Sequence, residues 1–440
     1  MKGNVMYRET DSLILYSSLP QDSILMKLSG IWSDWESQRD TPASLTHRIY
    51  TEVKRILDIS TAYGFDRNLW QCYLTFVMIS HENSFALTCE RRGPKEGTIN
   101  LIAKHDFDVF LRLLHFDFGP IEESLKINCF SLLCEYQAIP KRQQLFNRHV
   151  SERVCALSEK LACAKDADEV FDLVTDHFSR FGVGLFGLNR AFRLQEHGND
   201  IEITAINNMD AVTLSDLIGY DAQKAEIRAN VEAFLAGRPF NNMLLYGDAG
   251  TGKSTSVKAL LNEYWEDGLR IIELYKHQFS RLSEVISTVK NRQYRFMIFI
   301  DDLSFEENEV EYKFLKAVIE GGMETKPDNI LIYATSNRRH LIRETWSDRA
   351  DRDDELHRSD TMTEKLSLVA RFGITINYSR PNQKEFFEIV KHLAKKYPQI
   401  NKSEEELCRE ANKWELSHGG ISGRTAQQFI NHLAGIAGDE

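Results

Sequence analysis

No two of the seven cysteines stand in a C-x-x-C pair, and their number is odd. Cys72, Cys89, Cys129, Cys134, Cys155, Cys163 and Cys408 therefore offer no disulfide framework and read as reduced, mostly buried thiols in a reducing compartment. No apolar run approaches the ~20 residues that a membrane-spanning helix needs. Residues Met1–Thr10 carry polar and acidic side chains where a secretion signal is apolar. These absences together predict a cytoplasmic protein with no membrane contact. Positive charge is also short: 54 Lys and Arg stand against 65 Asp and Glu, a net charge of −11. That excludes a surface that coats nucleic acid as a whole and leaves room only for a local basic path. Residues 1 to about 180 lack repeats and low-complexity tracts as well.

What is present is ordinary for a globular chain of several domains: 440 residues, 42% hydrophobic and 27% charged, which predicts two or three cores. One stretch stands out. The apolar run Met243–Tyr246 leads into Gly247, Asp248, Ala249, Gly250, Thr251, Gly252, Lys253, Ser254 and Thr255. This is G-x-x-x-x-G-K-[ST], a loop whose glycines turn the backbone so that N–H groups converge on a phosphate. Lys253 supplies a point charge for the β- and γ-phosphates, and the Ser254 hydroxyl is suited to Mg²⁺. Val257, Leu260, Leu261, Tyr264 and Trp265 then recur at helical spacing as far as Gly268. A strand before and a helix after are the context that such a loop requires, with the anion on the helix N-terminus.

Residues 1–180 read as a mainly helical domain. Ile49, Val53, Ile56 and Leu57 form one stripe and Phe110, Leu111, Leu113 and Leu114 another, with a turn-rich break at Arg91–Gly97. The run Cys155–Phe178 has helical periodicity to its end near Gly182. Residues 181–210 are expected to be a hairpin and junction. Gly182, Gly184 and Gly187 match G-x-G-x-x-G, but a helical pattern precedes them and a hairpin follows, the wrong setting for a dinucleotide fingerprint. Residues 211–380 alternate strands and helices, with strands predicted at Leu269–Leu274, Phe296–Ile300, Ile330–Ala334 and Ile374–Tyr378. That pattern argues for a doubly wound parallel sheet with ligands at the carboxyl ends of its strands. Residues 381–440 are helical, opened by the capping-box pairs Asn382 with Glu385 and Ser403 with Glu406.

The strand Arg295–Ile300 delivers Asp301 and Asp302 at its end, the first placed to hold Mg²⁺ and the second to orient or deprotonate water. An ordinary strand-end turn is the plainer alternative. Asn337 closes the apolar run from Ile330 and could hold the attacking water, or simply form a turn. Ser215–Lys224 includes an apolar-plus-glycine turn, Ile218 and Gly219, that could wrap an adenine or belong to the core.

These pieces, in this order, resemble the AAA+ ATPases over Leu214–Leu433, about half of the chain. Phe299–Phe305 and Ala334–Leu341 further resemble an uncharacterised bacterial branch known only as ATP-binding proteins. The resemblance implies an α/β, AAA+-type sheet with a C-terminal helical lid behind a separate, mainly helical N-terminal domain. It implies Gly247–Ser254 as Walker A, Asp301 and Asp302 as Walker B, and Asn337 as sensor 1. Arg371 matches the arginine finger, Arg424 the sensor 2 arginine of the lid, and Ile218 with Gly219 the adenine-side turn. Arg338 and Arg339 are the fallback fingers. One departure is Asp302, where most members carry glutamate; its carboxylate is withdrawn by about one methylene, which makes slow turnover or a switch an open alternative.

The expectation is thus an Mg²⁺-dependent ATPase that moves a lid and acts on an unidentified protein client. A finger reaches a neighbour's phosphate only across a head-to-tail contact, which implies a homo-oligomer, a ring or a spiral. Tyr275, Lys276, His277 and Phe279 would grip the client or pack in the core. The alternatives are a nucleic-acid-associated helicase loader or remodeller, and an ATP-binding switch with little hydrolysis. Ser347–Glu355 reads as a solvated, mixed-charge loop.

Overall fold

The computed structural model describes residues 5–139, 148–198, 200–305, 311–320, 327–337, 341 and 368–437. Arg338, Arg339 and Ser347–Glu355 lie outside the described residues. The chain divides into two compact units, Met1–Asn189 with Ala205–Asn208, and Arg190–Thr204 with Met209–Glu440.

Among the described residues of the second unit the strands form one seven-stranded sheet. They are β1 (Ala191–His197), β2 (Asp200–Ala205), β3 (Met243–Gly247), β4 (Leu269–Glu273), β5 (Arg295–Ile300), β6 (Ile330–Ser336) and β7 (Ile374–Tyr378). Their order is β2-β1-β4-β5-β6-β3-β7. The pairs β1–β4, β4–β5, β5–β6, β6–β3 and β3–β7 are all parallel. Buried strands flanked by helices on a parallel sheet read as continuous apolar runs, and β5 and β6 are buried almost throughout. This is the α/β, AAA+-type fold expected, and all four strands proposed after the phosphate loop are present.

The hairpin expected as a junction over 181–210 is not a separate piece. Ala191, Phe192 and Leu194 are buried, and β1 extends the sheet beyond β4 with Ala191 opposite Ile271. An apolar edge on β4 would otherwise expose unpaired N–H and C=O groups, which the hairpin covers. Gly184–Leu188, by contrast, is a short helix of the first unit.

After β7 the described residues form three helices, Gln383–Ala394, Glu404–Ser417 and Gly423–Ala437. Asn382 with Glu385 and Ser403 with Glu406 form the reciprocal capping bonds that the sequence foreshadows. Phe386, Val390, Leu407, Ala411, Phe429 and Ile430 close a core of their own. A lid with its own core can shift as a body. It is tied back by Lys396, whose ammonium lies 2.5 Å from Asp216; that ion pair, with Thr213, holds the Asp216 carboxyl down at about 2.

The first unit is helical. Ile49, Val53 and Ile56 line the buried face of Pro42–Tyr63, and Phe110, Leu113 and Leu114 that of Ile99–Leu114. The run Cys155–Phe178 is two helices, Arg148–Ala162 and Ala167–Phe181, because Asp166 caps the second by accepting from the N–H groups of Asp168 and Glu169. Asp106, fully buried, takes N–H bonds from Ile14, Leu15 and Tyr16, so its carboxyl oxygens are satisfied by backbone. All seven cysteines are free. No described helix is long and apolar enough to cross a membrane.

Candidate functional site

The strand order decides which side chains can meet. β6 lies between β3 and β5, so the turn after β3 and the acids after β5 stand about 10 Å apart, two strand spacings, with the end of β6 between them. In the register, Tyr246 faces Ser336 and Ile300 faces Ala334. One step further on, Asn337 follows on the β3 side and Thr335 on the β5 side.

The loop after β3 is held open by its glycines. Gly247 has φ +135°, and a Cβ on it would lie 2.1 Å from the Tyr378 carbonyl oxygen. Gly252 has φ +94°, and a Cβ there would meet the Leu217 side chain at 2.6 Å. Both positions therefore require glycine. Gly252 is also the N-cap of the helix Lys253–Tyr264 and has no side chain to cap it, so the first N–H groups of that helix are presented at the loop. A cradle of this kind suits an anion.

Lys253 is buried, and its ammonium donates to the carbonyls of Gly247 (2.9 Å) and Asp248 (2.6 Å) and to Oδ1 of Asn337 (3.1 Å). Burial lowers its pKa, while the charges of Asp248, Asp302 and Asp301 act the other way. An ammonium held by carbonyl oxygens can exchange them for phosphate oxygens without moving far. Ser254 Oγ donates to Asp301 at 2.6 Å. A hydroxyl and a carboxylate meeting at one point are the oxygen donors that Mg²⁺ takes from a protein when phosphates and water complete its shell. No cluster of three or more His, Cys, Asp or Glu exists among the described residues to build an all-protein metal cage.

Asp302 sits at φ +52°, a left-handed conformation that aspartate tolerates better than most residues. That turn points its carboxylate at Asn337, whose Nδ2 donates to Oδ1 at 2.7 Å. Lys253, Asn337 and Asp302 thus form one hydrogen-bonded line across the ends of three strands. Thr335, which the sequence reading passed over, holds both acids: its hydroxyl donates to Asp301, and the N–H of Asp302 donates to it at 2.9 Å. The signal for it was the polar pair Thr335 and Ser336 closing an apolar strand.

The lid reaches the same loop. The N–H of Arg424 donates to the Gly250 carbonyl at 3.3 Å, and a Cβ on Gly250 would touch Arg424 and Ser422 at 3.1 Å. The Arg424 charge bears on Lys253. Ile218 and Gly219 lie beside Leu217, which touches Gly252, and Gly219 takes φ +79°. Thr251 ties its hydroxyl to the Asp248 carbonyl at 2.9 Å; Ala249 is exposed, and Thr255 stands in the first helical turn.

Arg371 is elsewhere. It precedes β7, whose first residue, Ile374, pairs with Met243 at the amino end of β3. Four residues of strand, about 13 Å, separate that end from Gly247 and the loop. Tyr275, 43% exposed, lies parallel to His277 with ring centroids 5.9 Å apart, while Phe279 is buried.

A family model described as "Protein of unknown function (DUF815)" matches residues 188–437, more than half of the chain. Among curated proteins, the Replication factor C large subunit of Staphylothermus marinus is 32% identical over 87 residues, 20% of this chain and 20% of that protein. The Replication factor C large subunit of Thermococcus kodakarensis is 43% identical over 63 residues, 14% of this chain and 12% of that protein. The chain spans a fifth or less of these relatives. A solved RuvB structure from Thermotoga maritima aligns over 51% of this chain and 71% of its own, at 16% identity and a TM-score of 0.31. The parallel sheet, the glycine-rich turn after β3 and the C-terminal helices have the AAA+-type α/β fold.

Proposed function

The chain belongs to the DUF815 family, and we propose that it binds ATP with Mg²⁺ at the ends of β3, β5 and β6 and hydrolyses it to ADP and phosphate. The observation that carries this is the line Lys253–Asn337–Asp302 beside the Ser254–Asp301 pair. Lys253 trades its carbonyl partners for β- and γ-phosphate oxygens. Ser254 and Asp301 hold Mg²⁺, which when bound offsets the charge of the phosphates. Asn337 holds a water by its amide, and Asp302 takes that water's proton as it attacks. Arg424 follows the nucleotide from the lid, and the Ile218–Gly219 turn borders the adenine.

Arg371 acts on the site of a neighbouring copy, in a ring or open spiral. Its place at the opposite end of β7 from the loop supports that reading. The cycle moves the lid, and through it a protein client, in the cytoplasm. Tyr275 and His277 offer an exposed aromatic pair for such a client.

A second reading has an observation of its own. Asp302 is short, sits in a left-handed turn and is engaged by Asn337, which favours an ATP-set switch with little hydrolysis. Phosphate release from ATP separates the two. Release is expected with Mg²⁺ and should cease on its removal by chelation, recovering when Mg²⁺ is restored. ATP retention with no release at any protein concentration would favour the switch.

A further inference from the structure

The phosphate loop carries an acid. Asp248 follows Gly247 directly, where a negative charge opposes an incoming anion. Of the carboxylates that act on the Lys253 ammonium, Asp248 acts most strongly, ahead of Asp302 and Asp301. Its carboxylate is met by one residue twice: the Arg380 N–H donates to Oδ2 at 3.2 Å, and the Arg380 guanidinium Nε lies 3.4 Å from Oδ1.

Arg380 stands in the short segment that joins β7 to the lid helix Gln383–Ala394. The chain leaving β7 is bound to the nucleotide-side turns at Tyr378, Ser379 and Arg380. The Asp248 N–H donates to the Tyr378 carbonyl at 3.1 Å, and the Tyr220 hydroxyl donates to the Ser379 carbonyl at 2.8 Å. Arg380 Nη1 also faces the lid turn, 3.8 Å from where a Cβ on Gly420 would be. Loop acid, lid segment and lid turn therefore converge on one guanidinium.

We infer that Arg380 is a positioning residue for the triphosphate: it neutralises Asp248, so that Lys253 gives its charge to the nucleotide, and it ties the loop to the lid. This rests on the ATP-binding reading above. An exposed ion pair contributes little by itself, with side chains here 61% and 45% exposed. Its consequence is read instead in the affinity for a highly charged ligand, and more for ATP than for ADP.

The experiment is equilibrium calorimetry of the full chain with ATP and with ADP, each with Mg²⁺. The chains are wild type, Arg380→Ala, Arg380→Lys and the double variant Asp248→Asn with Arg380→Ala. Arg380→Ala is expected to weaken ATP about fivefold and ADP less. The double variant should recover most of that loss, because the charge to be neutralised is gone. Arg380→Lys should bind ATP better than Arg380→Ala. Unchanged ATP affinity in Arg380→Ala, or an equal loss in the double variant, would overturn the inference. Should Arg380→Ala fail to fold by thermal melting, the comparison of the uncharged Arg380→Gln with wild type decides: a selective loss for ATP over ADP supports the inference, and equal affinities refute it. A wild-type chain that retains no ATP defeats the ATP reading itself and this inference with it, a result distinct from the others.

Discussion

An Asp302→Asn chain is expected to release phosphate about 10²–10⁴-fold more slowly than wild type while holding ATP within a few-fold of the wild-type affinity. Asparagine keeps the size of the side chain and its place beside Asn337 but cannot take a proton. The ATP-binding contacts, Lys253 and the loop N–H groups, do not pass through Asp302. The N–H of residue 302 still reaches Thr335, so the turn that aims Asp301 should persist. Asp301 should therefore keep its metal, and the defect should sit in the rate. The check is single-turnover phosphate release beside an equilibrium ATP titration. Equal turnover in the two chains would remove Asp302 from the role of base.

The second large effect concerns assembly. Arg371→Ala is expected to lower turnover by about 10³–10⁵-fold, the contribution of a guanidinium that stabilises charge on a transferring phosphoryl group. The wild-type rate per chain should rise with protein concentration as neighbours meet, and the variant's should stay low and flat. Arg371 lies at the amino end of β7 and the loop beyond its carboxyl end, a separation one chain cannot close by rotating a side chain. Mixing Arg371→Ala with Lys253→Ala chains should restore part of the activity, since each then supplies what the other lacks. Wild-type turnover that ignores concentration, or a variant as active as wild type, would contradict a shared site.

What was legible in the sequence was what local signals encode. The turn after β3 was legible from its glycines and lysine, a local motif that needs no distant partner to be recognised. The strands after it were readable because buried parallel strands are unbroken apolar runs. The lid helices were readable from their capping boxes, which are contacts three residues apart. Asp301, Asp302 and Asn337 were each visible as polar ends of apolar strands. That Asn337 would stand between Lys253 and Asp302 depended on β6 inserting between β3 and β5, a matter of strand order that no local pattern carries.

Pairings across long sequence distances escaped in the same way. Asp248 and Arg380 lie 132 residues apart, and each looks alone like a surface charge. The β1–β2 hairpin was legible as a hairpin, but not its place in the sheet, because its partner, β4, pairs with it across eighty residues of sequence. Asp166 escaped for a different reason: an apolar stripe continued across it, although the run Asp166-Ala-Asp-Glu169 is itself a helix-start signal.

The central claim is that a triphosphate rests on Lys253 with its metal at Ser254 and Asp301. The measurement closest to it is equilibrium binding of Mg²⁺·ATP to the full chain and to Lys253→Ala at matched folding. Loss of a buried, charge-assisted contact should weaken ATP by about ten- to hundredfold. Equal ATP affinity in the two chains would contradict the account.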